Sequence, residues 1–130
     1  MVVTRLLLAL ALLAPLPAIA GTRVIDGDTI EVDGVSIRLV EIDTPETHQP
    51  RCAHERELGL AAKRRLIELL NEGELTVVVV GHDRKWNRPL AYVYAGEIDV
   101  GQVLLQEGHA LHWTPGPKSK AARMAVWCPL

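Results

Sequence analysis

Thr22-Arg23-Val24-Ile25-Asp26-Gly27-Asp28-Thr29-Ile30-Glu31-Val32-Asp33-Gly34-Val35-Ser36-Ile37-Arg38-Leu39-Val40-Glu41-Ile42 is the stretch on which the fold turns. Short runs rich in β-branched residues are punctuated by two Asp-Gly pairs, and Asp-Gly between extended runs signals a tight hairpin. The pattern predicts a strand from Thr22 to Ile25, a turn at Asp26-Gly27, and a second strand from Thr29 to Val32. A hairpin at Asp33-Gly34 then returns the chain as a third strand from Val35 to Ile42. Three short strands on tight turns make a curled meander. Thr44-Pro45 ends it, because the residue before a proline avoids helical geometry.

Outward from that stretch, His54 to Leu70 reads as a helix, with Leu58, Ala62, Leu66, Leu69 and Leu70 on one stripe and charged residues opposite. Gly73 is placed to end it as a C-terminal cap. Leu75 to Val80 reads as a buried valine-rich strand, Gly81 to Asn87 as a polar loop, and Pro89 to Tyr94 as the next strand. Val100 to Gly108 forms a short helix, and Pro115-Gly116-Pro117 breaks the chain before a weakly helical segment from Lys118 to Val126. Periodicity alone supports α+β, mainly β, with an antiparallel sheet of five strands and about three helices. No internal repeat or low-complexity tract lies outside the first twenty residues.

Residues 1–20 read as a signal peptide. Arg5 supplies the positive start, Leu6 to Ala14 the apolar run, and Ala18-Ile19-Ala20 a small-residue cleavage site before Gly21. The apolar run is too short for a membrane span, which takes roughly 20 residues. The expected product is a single domain over 21–130, secreted or periplasmic, monomeric and free of the membrane after cleavage. It loses Arg5 and no acid, so it is one unit more negative than the −2 of the whole sequence. A general polyanion binder is normally basic, so this balance favours turnover of nucleic acid at a local basic site over tight storage. Cys52 and Cys128 are the only cysteines. In an oxidising compartment they are expected to pair as a disulfide; the alternatives are two free thiols, or a zinc site shared with a histidine.

The chemistry concentrates in one short region. Asp28 and Asp43 are hard oxygen donors, which suit Ca²⁺ better than zinc or copper. Glu46, just beyond, is placed to deprotonate a water. Arg38 stands out as a charge among Val35, Ile37, Leu39, Val40 and Ile42, and a guanidinium fork matches two phosphate oxygens. Metal, acid and arginine together are what phosphodiester hydrolysis requires. Each has a plainer reading as well. Turn aspartates cap strand ends, Glu46 can be a solvated surface residue, and Arg38 can pair with Glu31 or Glu41 on an outer face.

Asp26-Gly27-Asp28-Thr29, Arg38-Leu39-Val40-Glu41-Ile42-Asp43-Thr44-Pro45-Glu46, and Asp83 followed by Arg88-Pro89-Leu90-Ala91-Tyr92 together resemble the staphylococcal nuclease (thermonuclease) family. The resemblance runs from about Gly21 to Trp127. It implies an OB-fold, a five-stranded barrel, and Ca²⁺ held by Asp28, Asp43 and the backbone carbonyl of Thr44. It also implies Glu46 as general base, Arg38 and Arg88 as phosphate-clamping arginines, and DNA or RNA as substrate. Asp26 falls in the pattern as an outer or turn residue. The chain departs from the family around Trp86 and Asn87, where a tyrosine and a glycine are usual. Trp86 can stack on a base but offers no phenolic hydroxyl, and Trp113 lies where the family has aromatics lining a nucleotide pocket. His82, His109 and His112 fall outside the acidic motif. Against a secreted Ca²⁺-dependent nuclease stands a catalytically inactive OB-fold module that binds nucleic acid or a partner protein. The intact set Asp28, Arg38, Asp43, Glu46 and Arg88 favours the enzyme.

Overall fold

The two Asp-Gly pairs place their turns as read. In a computed structural model that describes residues 21–130, β1 (Thr22–Asp26), β2 (Thr29–Val32) and β3 (Val35–Leu39) form an antiparallel meander. The signal-peptide reading concerns residues 1–20 and lies outside the described residues. The third run stops short of Ile42. Glu41 takes a left-handed φ of 70°, and the chain leaves the main sheet there. Ile42–Asp43 becomes β4, and α1 (Ala53–Leu70) follows.

The chain continues through β5 (Leu75–His82), β6 (Pro89–Ala95), β7 (Ile98–Asp99), α2 (Val100–Gln106), β8 (Leu111–His112) and α3 (Pro117–Trp127). The main sheet runs β1-β2-β3-β6-β5, with β7 added on β6, and β3 pairs with β6 in parallel. The five long strands do not pair in sequence order; β6 inserts between β3 and β5. That is the strand order of an OB-fold, with α1 entered between the third and fourth long strands. The fold is α+β, mainly β. The two-residue strands β4 and β8 pair with each other, Ile42 opposite His112 and Asp43 opposite Leu111. Segments so short carry no period to read.

One core holds these layers. Ala62, Leu66 and Leu69 of α1 are buried with Ile30, Leu39 and Val93 of the sheet and with Val100 and Leu104 of α2. Two readings need correction. β5 is not buried: it ends the strand path, with Val78, Val79 and Val80 exposed by 44%, 51% and 54%. Valine's β-branching favours extended backbone on an edge as well as in a core. Gly73 is not the cap either: α1 ends at Leu70 and Asn71 is its C-cap. Among the described residues no helix is long and apolar enough to cross a membrane.

Cys52 and Cys128 are joined across 76 positions, so the thiols are not available to zinc. Cys52 is the N-cap of α1 and its sulfur accepts from the Glu55 N–H, while Cys128 caps the end of α3. Replacing both with serine keeps a good N-cap hydroxyl at 52 and removes only the link. The expected cost is about 2–4 kcal/mol, below the roughly 4.5 kcal/mol ceiling of the chain-entropy model for such a loop. Urea melts of the two proteins measure it, and equal midpoints would mean that the link adds nothing to stability.

Candidate active site

The turn between β1 and β2 sets the first acid. A Cβ on Gly27 would lie 2.7 Å from the Ala62 Cβ and 2.9 Å from the Thr44 hydroxyl, so the turn packs against α1 only because that position is glycine. Asp28 follows, 6% exposed. Its Oδ1 accepts from the Thr29 hydroxyl at 2.9 Å and its Oδ2 from the Thr44 N–H at 3.0 Å. The β2–β3 hairpin register sets Arg38 opposite Thr29 and so beside Asp28. One Arg38 nitrogen lies 3.1 Å from Asp28 Oδ2, and the other donates to Asp43 Oδ1 at 3.3 Å. A single guanidinium therefore links the two carboxylates. The plainer pairing of Arg38 does not occur: Glu31 binds Arg23, and Glu41 accepts from the Tyr92 hydroxyl.

The second acid carries another partner. Asp43 Oδ2 accepts from Arg123 Nε at 2.8 Å, while Arg123 Nη1 donates to the Thr114 carbonyl at 3.1 Å. Despite two arginines, the Asp43 carboxyl is pushed above its ordinary value, because burial and the Asp28 charge outweigh them.

Glu46 sits on the loop that follows, and this loop lies directly on α1. A Cβ on Gly59 would come 2.7 Å from the Pro45 carbonyl and 2.9 Å from Thr47. Asp26 accepts a hydrogen bond from the Thr47 hydroxyl, tying the β1 end to the same loop. Glu46 is also pushed up, first by loss of surrounding water and then by Asp28, Asp26, Asp43 and Glu55. Much of the residue is open to solvent, so the four acids are the part that a bound cation would reverse.

The donor set fits a hard cation. Each carboxylate oxygen has two lone pairs, so Asp28 and Asp43 can keep their arginine bonds and still offer oxygen to an ion. Asp28, Asp43 and the Thr44 carbonyl are hard donors, and burial with repulsion among the acids raises the Asp43 carboxyl even with Arg38 and Arg123 in place, and the Glu46 carboxyl beside it. Among the described residues no group of three or more His, Cys, Asp or Glu side chains forms a ready metal cage.

Arg38, Asp43 and Glu46 open into a cleft of about 1000 Å³, which also reaches Trp86, Arg88 and Trp113. Arg88 shares the cleft but its Nε is held at 2.6 Å by Asp83, whose other oxygen accepts the Trp86 N–H. Asn87 takes a left-handed φ of 51°, a conformation that asparagine tolerates better than most residues, so it serves where the family has glycine. Trp86 is 65% exposed and Trp113 50%, so neither lies in the core. Trp127, at 5%, is core.

Three charged residues at this cleft were not singled out from the sequence: Arg123, Lys120 and Arg51. Arg51 pairs with the fully buried Glu55 and lies over the Trp127 ring at 6.0 Å. For Arg123 a signal existed. It is a lone charge inside Ala121-Ala122-Arg123-Met124-Ala125-Val126-Trp127, the same oddity that marks Arg38.

A family model described as "Staphylococcal nuclease homologue" matches residues 36–126. The SPbeta prophage-derived endonuclease YokF of Bacillus subtilis (strain 168) is 40% identical over 94 residues, which are 68% of this chain and 31% of that protein. Endonuclease YncB of the same organism is 42% identical over 94 residues, covering 68% of this chain and 44% of its own length. Thermonuclease of Staphylococcus intermedius is 35% identical over 96 residues, covering 68% and 55%. The chain thus spans between about a third and just over half of the length of these curated relatives. The matched region takes in Arg38, Asp43, Glu46, Arg88 and Arg123 on the elements that position them, and the chain belongs to the staphylococcal nuclease homologue family.

Proposed function

We propose that this protein is a secreted or periplasmic, Ca²⁺-dependent nuclease that hydrolyses phosphodiester bonds of DNA, RNA or both. The observation that carries the proposal is the Arg38 guanidinium held between Asp28 and Asp43, beside a cleft that Arg38, Asp43 and Glu46 line together. Kinship with proteins named endonuclease and thermonuclease supports it. So does the position of the site in the fold: the β1–β2 turn carries Asp28, and the β5–β6 loop carries Trp86, loops with which OB-folds contact oligonucleotides.

Asp28, Asp43 and the Thr44 carbonyl are the residues to hold Ca²⁺. When bound, the ion supplies positive charge to a phosphate oxygen and to the water nearby. Glu46 takes a proton from that water, whose oxygen attacks phosphorus. Arg38 donates to the oxygens on which negative charge grows. Arg88 is positioned to do the same once phosphate replaces Asp83 as its partner. The phosphorus bond to the 5′ oxygen breaks, a proton returns to that oxygen, and family resemblance implies a 3′-phosphate product. Trp86 and Trp113 offer exposed faces for stacking bases, each worth about 1–3 kcal/mol in nucleic-acid complexes. Two carboxylates and a carbonyl make a weak site, with Kd on the order of 10⁻⁴–10⁻³ M.

Denatured DNA incubated with the disulfide-intact protein tests the proposal. Cleavage is expected with millimolar Ca²⁺ and none with excess chelator. Intact DNA across several divalent metals would overturn the nuclease and leave a binding module.

A further inference from the structure

The C-terminal helix buries a single apolar side chain, Trp127. Of α3, only Arg123 and Trp127 are buried, one turn apart. Trp127 is the anchor: its carbonyl lies 3.5 Å from the Cys52 sulfur, and the next residue is the disulfide-bonded Cys128. Arg123, 7% exposed, is the arm that this anchor aims. Its fork holds two segments at once, the Asp43 carboxylate of β4 and the Thr114 carbonyl before α3. Arg38 holds Asp43 only through the other oxygen. Nε and Nη1 of Arg123 are thus both held by protein oxygens, one of them on the second acid of the site.

We infer that Arg123 is a positioning residue for the cation-binding carboxylate of Asp43, and that the Cys52–Cys128 disulfide keeps it in place. This rests on the Ca²⁺ site proposed above. Ligating carboxylates are oriented by hydrogen-bonding partners, and losing such a partner typically costs 10–100-fold in metal affinity. The sign of the effect discriminates. A guanidinium that acted only as a nearby positive charge would repel Ca²⁺, so removing it would tighten binding. A guanidinium that orients the ligand has the opposite effect on removal.

Calorimetric Ca²⁺ titration of the purified, oxidised full chain reads this without relying on activity. Arg123→Gln is expected to weaken Ca²⁺ binding roughly 10–100-fold. Arg123→Lys keeps the charge but cannot grip Asp43 and Thr114 together, and falls between the two. The Cys52→Ser/Cys128→Ser protein is expected to weaken binding as well, while adding no further loss to Arg123→Gln, because both changes release the same arm. Far-UV circular dichroism selects folded material. Should Arg123→Gln fail to fold, Arg123→Lys decides, and wild-type affinity in that variant overturns the inference. Unchanged or tighter binding in folded Arg123→Gln overturns it too, with DNA cleavage by the wild type leaving the nuclease reading intact. Weakened binding in a protein that never cleaves DNA keeps the inference and sinks the nuclease. Full additivity of the serine and glutamine changes would remove the disulfide from the argument. A wild type that takes up no Ca²⁺ overturns both.

Discussion

Glu46→Gln is expected to lower turnover by roughly 10²–10⁴-fold, the range a positioned general base contributes. Glutamine keeps the size and hydrogen-bonding capacity of the side chain but cannot accept a proton from water. Glu46 is not among the proposed ligands, so Ca²⁺ affinity should stay within a small factor of wild type. The pH dependence adds a second signature. With its carboxyl pushed up by partial burial and by Asp28, Asp26, Asp43 and Glu55, Glu46 gains its proton at a higher pH than a free glutamate. Only the ionised form is a base, so wild-type kcat/KM should fall as pH drops through that raised value. Filling the cation site offsets the negative field and should move this limb to lower pH. Glu46→Gln should lack the limb altogether. Steady-state kinetics on denatured DNA over a pH series checks all three. Turnover within a few-fold of wild type would take Glu46 out of the mechanism.

What was legible in the sequence follows how local each contact is. Asp33-Gly34 dictates a hairpin, the hairpin dictates register, and register places Arg38 opposite Thr29 and so at Asp28. Ten positions of chain were enough to specify that pair. The contact between Asp43 and Arg123 spans 80 positions and depends on two strands of two residues each, so no periodicity announces it. The break at Glu41 was hidden for a related reason. Glutamate is an unusual choice for a left-handed φ, and Val40-Glu41-Ile42 reads as uninterrupted strand until tertiary pairing pulls Ile42 and Asp43 toward β8. β5 misled in the other direction. Its four consecutive valines suggest burial on both faces, yet the strand lies at the sheet edge. The site was therefore readable in its identities and its first ion pair. The way α3 closes over it was not.

Arg38→Ala is the change expected to act on both rate and fold, and the two effects can be separated. On rate, losing one donor to the developing negative charge costs roughly 10²–10³-fold, by analogy with oxyanion-hole donors. On stability, Arg38 is, among the described residues, the one cation that bridges Asp28 and Asp43, with side-chain exposures of 14%, 9% and 18% for the three residues. Its removal leaves two largely buried carboxylates facing each other. Breaking a buried pair costs roughly 3–5 kcal/mol; with Arg123 still on Asp43, a loss of about 2–4 kcal/mol is expected here. The deficit should depend on pH in a definite direction. Asp43 already holds its proton above the ordinary range, through burial and Asp28, and loses one of its opposing charges in the variant. A carboxyl with a raised folded-state value binds more protons folded than unfolded, so stability falls as pH rises from the unfolded value through the folded one. The Arg38→Ala deficit is therefore largest at neutral pH and shrinks on acidification. Ca²⁺ should act like the missing guanidinium. At about one hundred times Kd a bound ligand contributes roughly 2.7 kcal/mol, enough to recover much of the deficit at neutral pH while the rate stays low. Urea melts at neutral and mildly acidic pH, with Ca²⁺ and with chelator, separate these effects. A deficit that ignores both pH and Ca²⁺ would mean that Arg38 stabilises by packing, and that the two acids do not form a charge-coupled site.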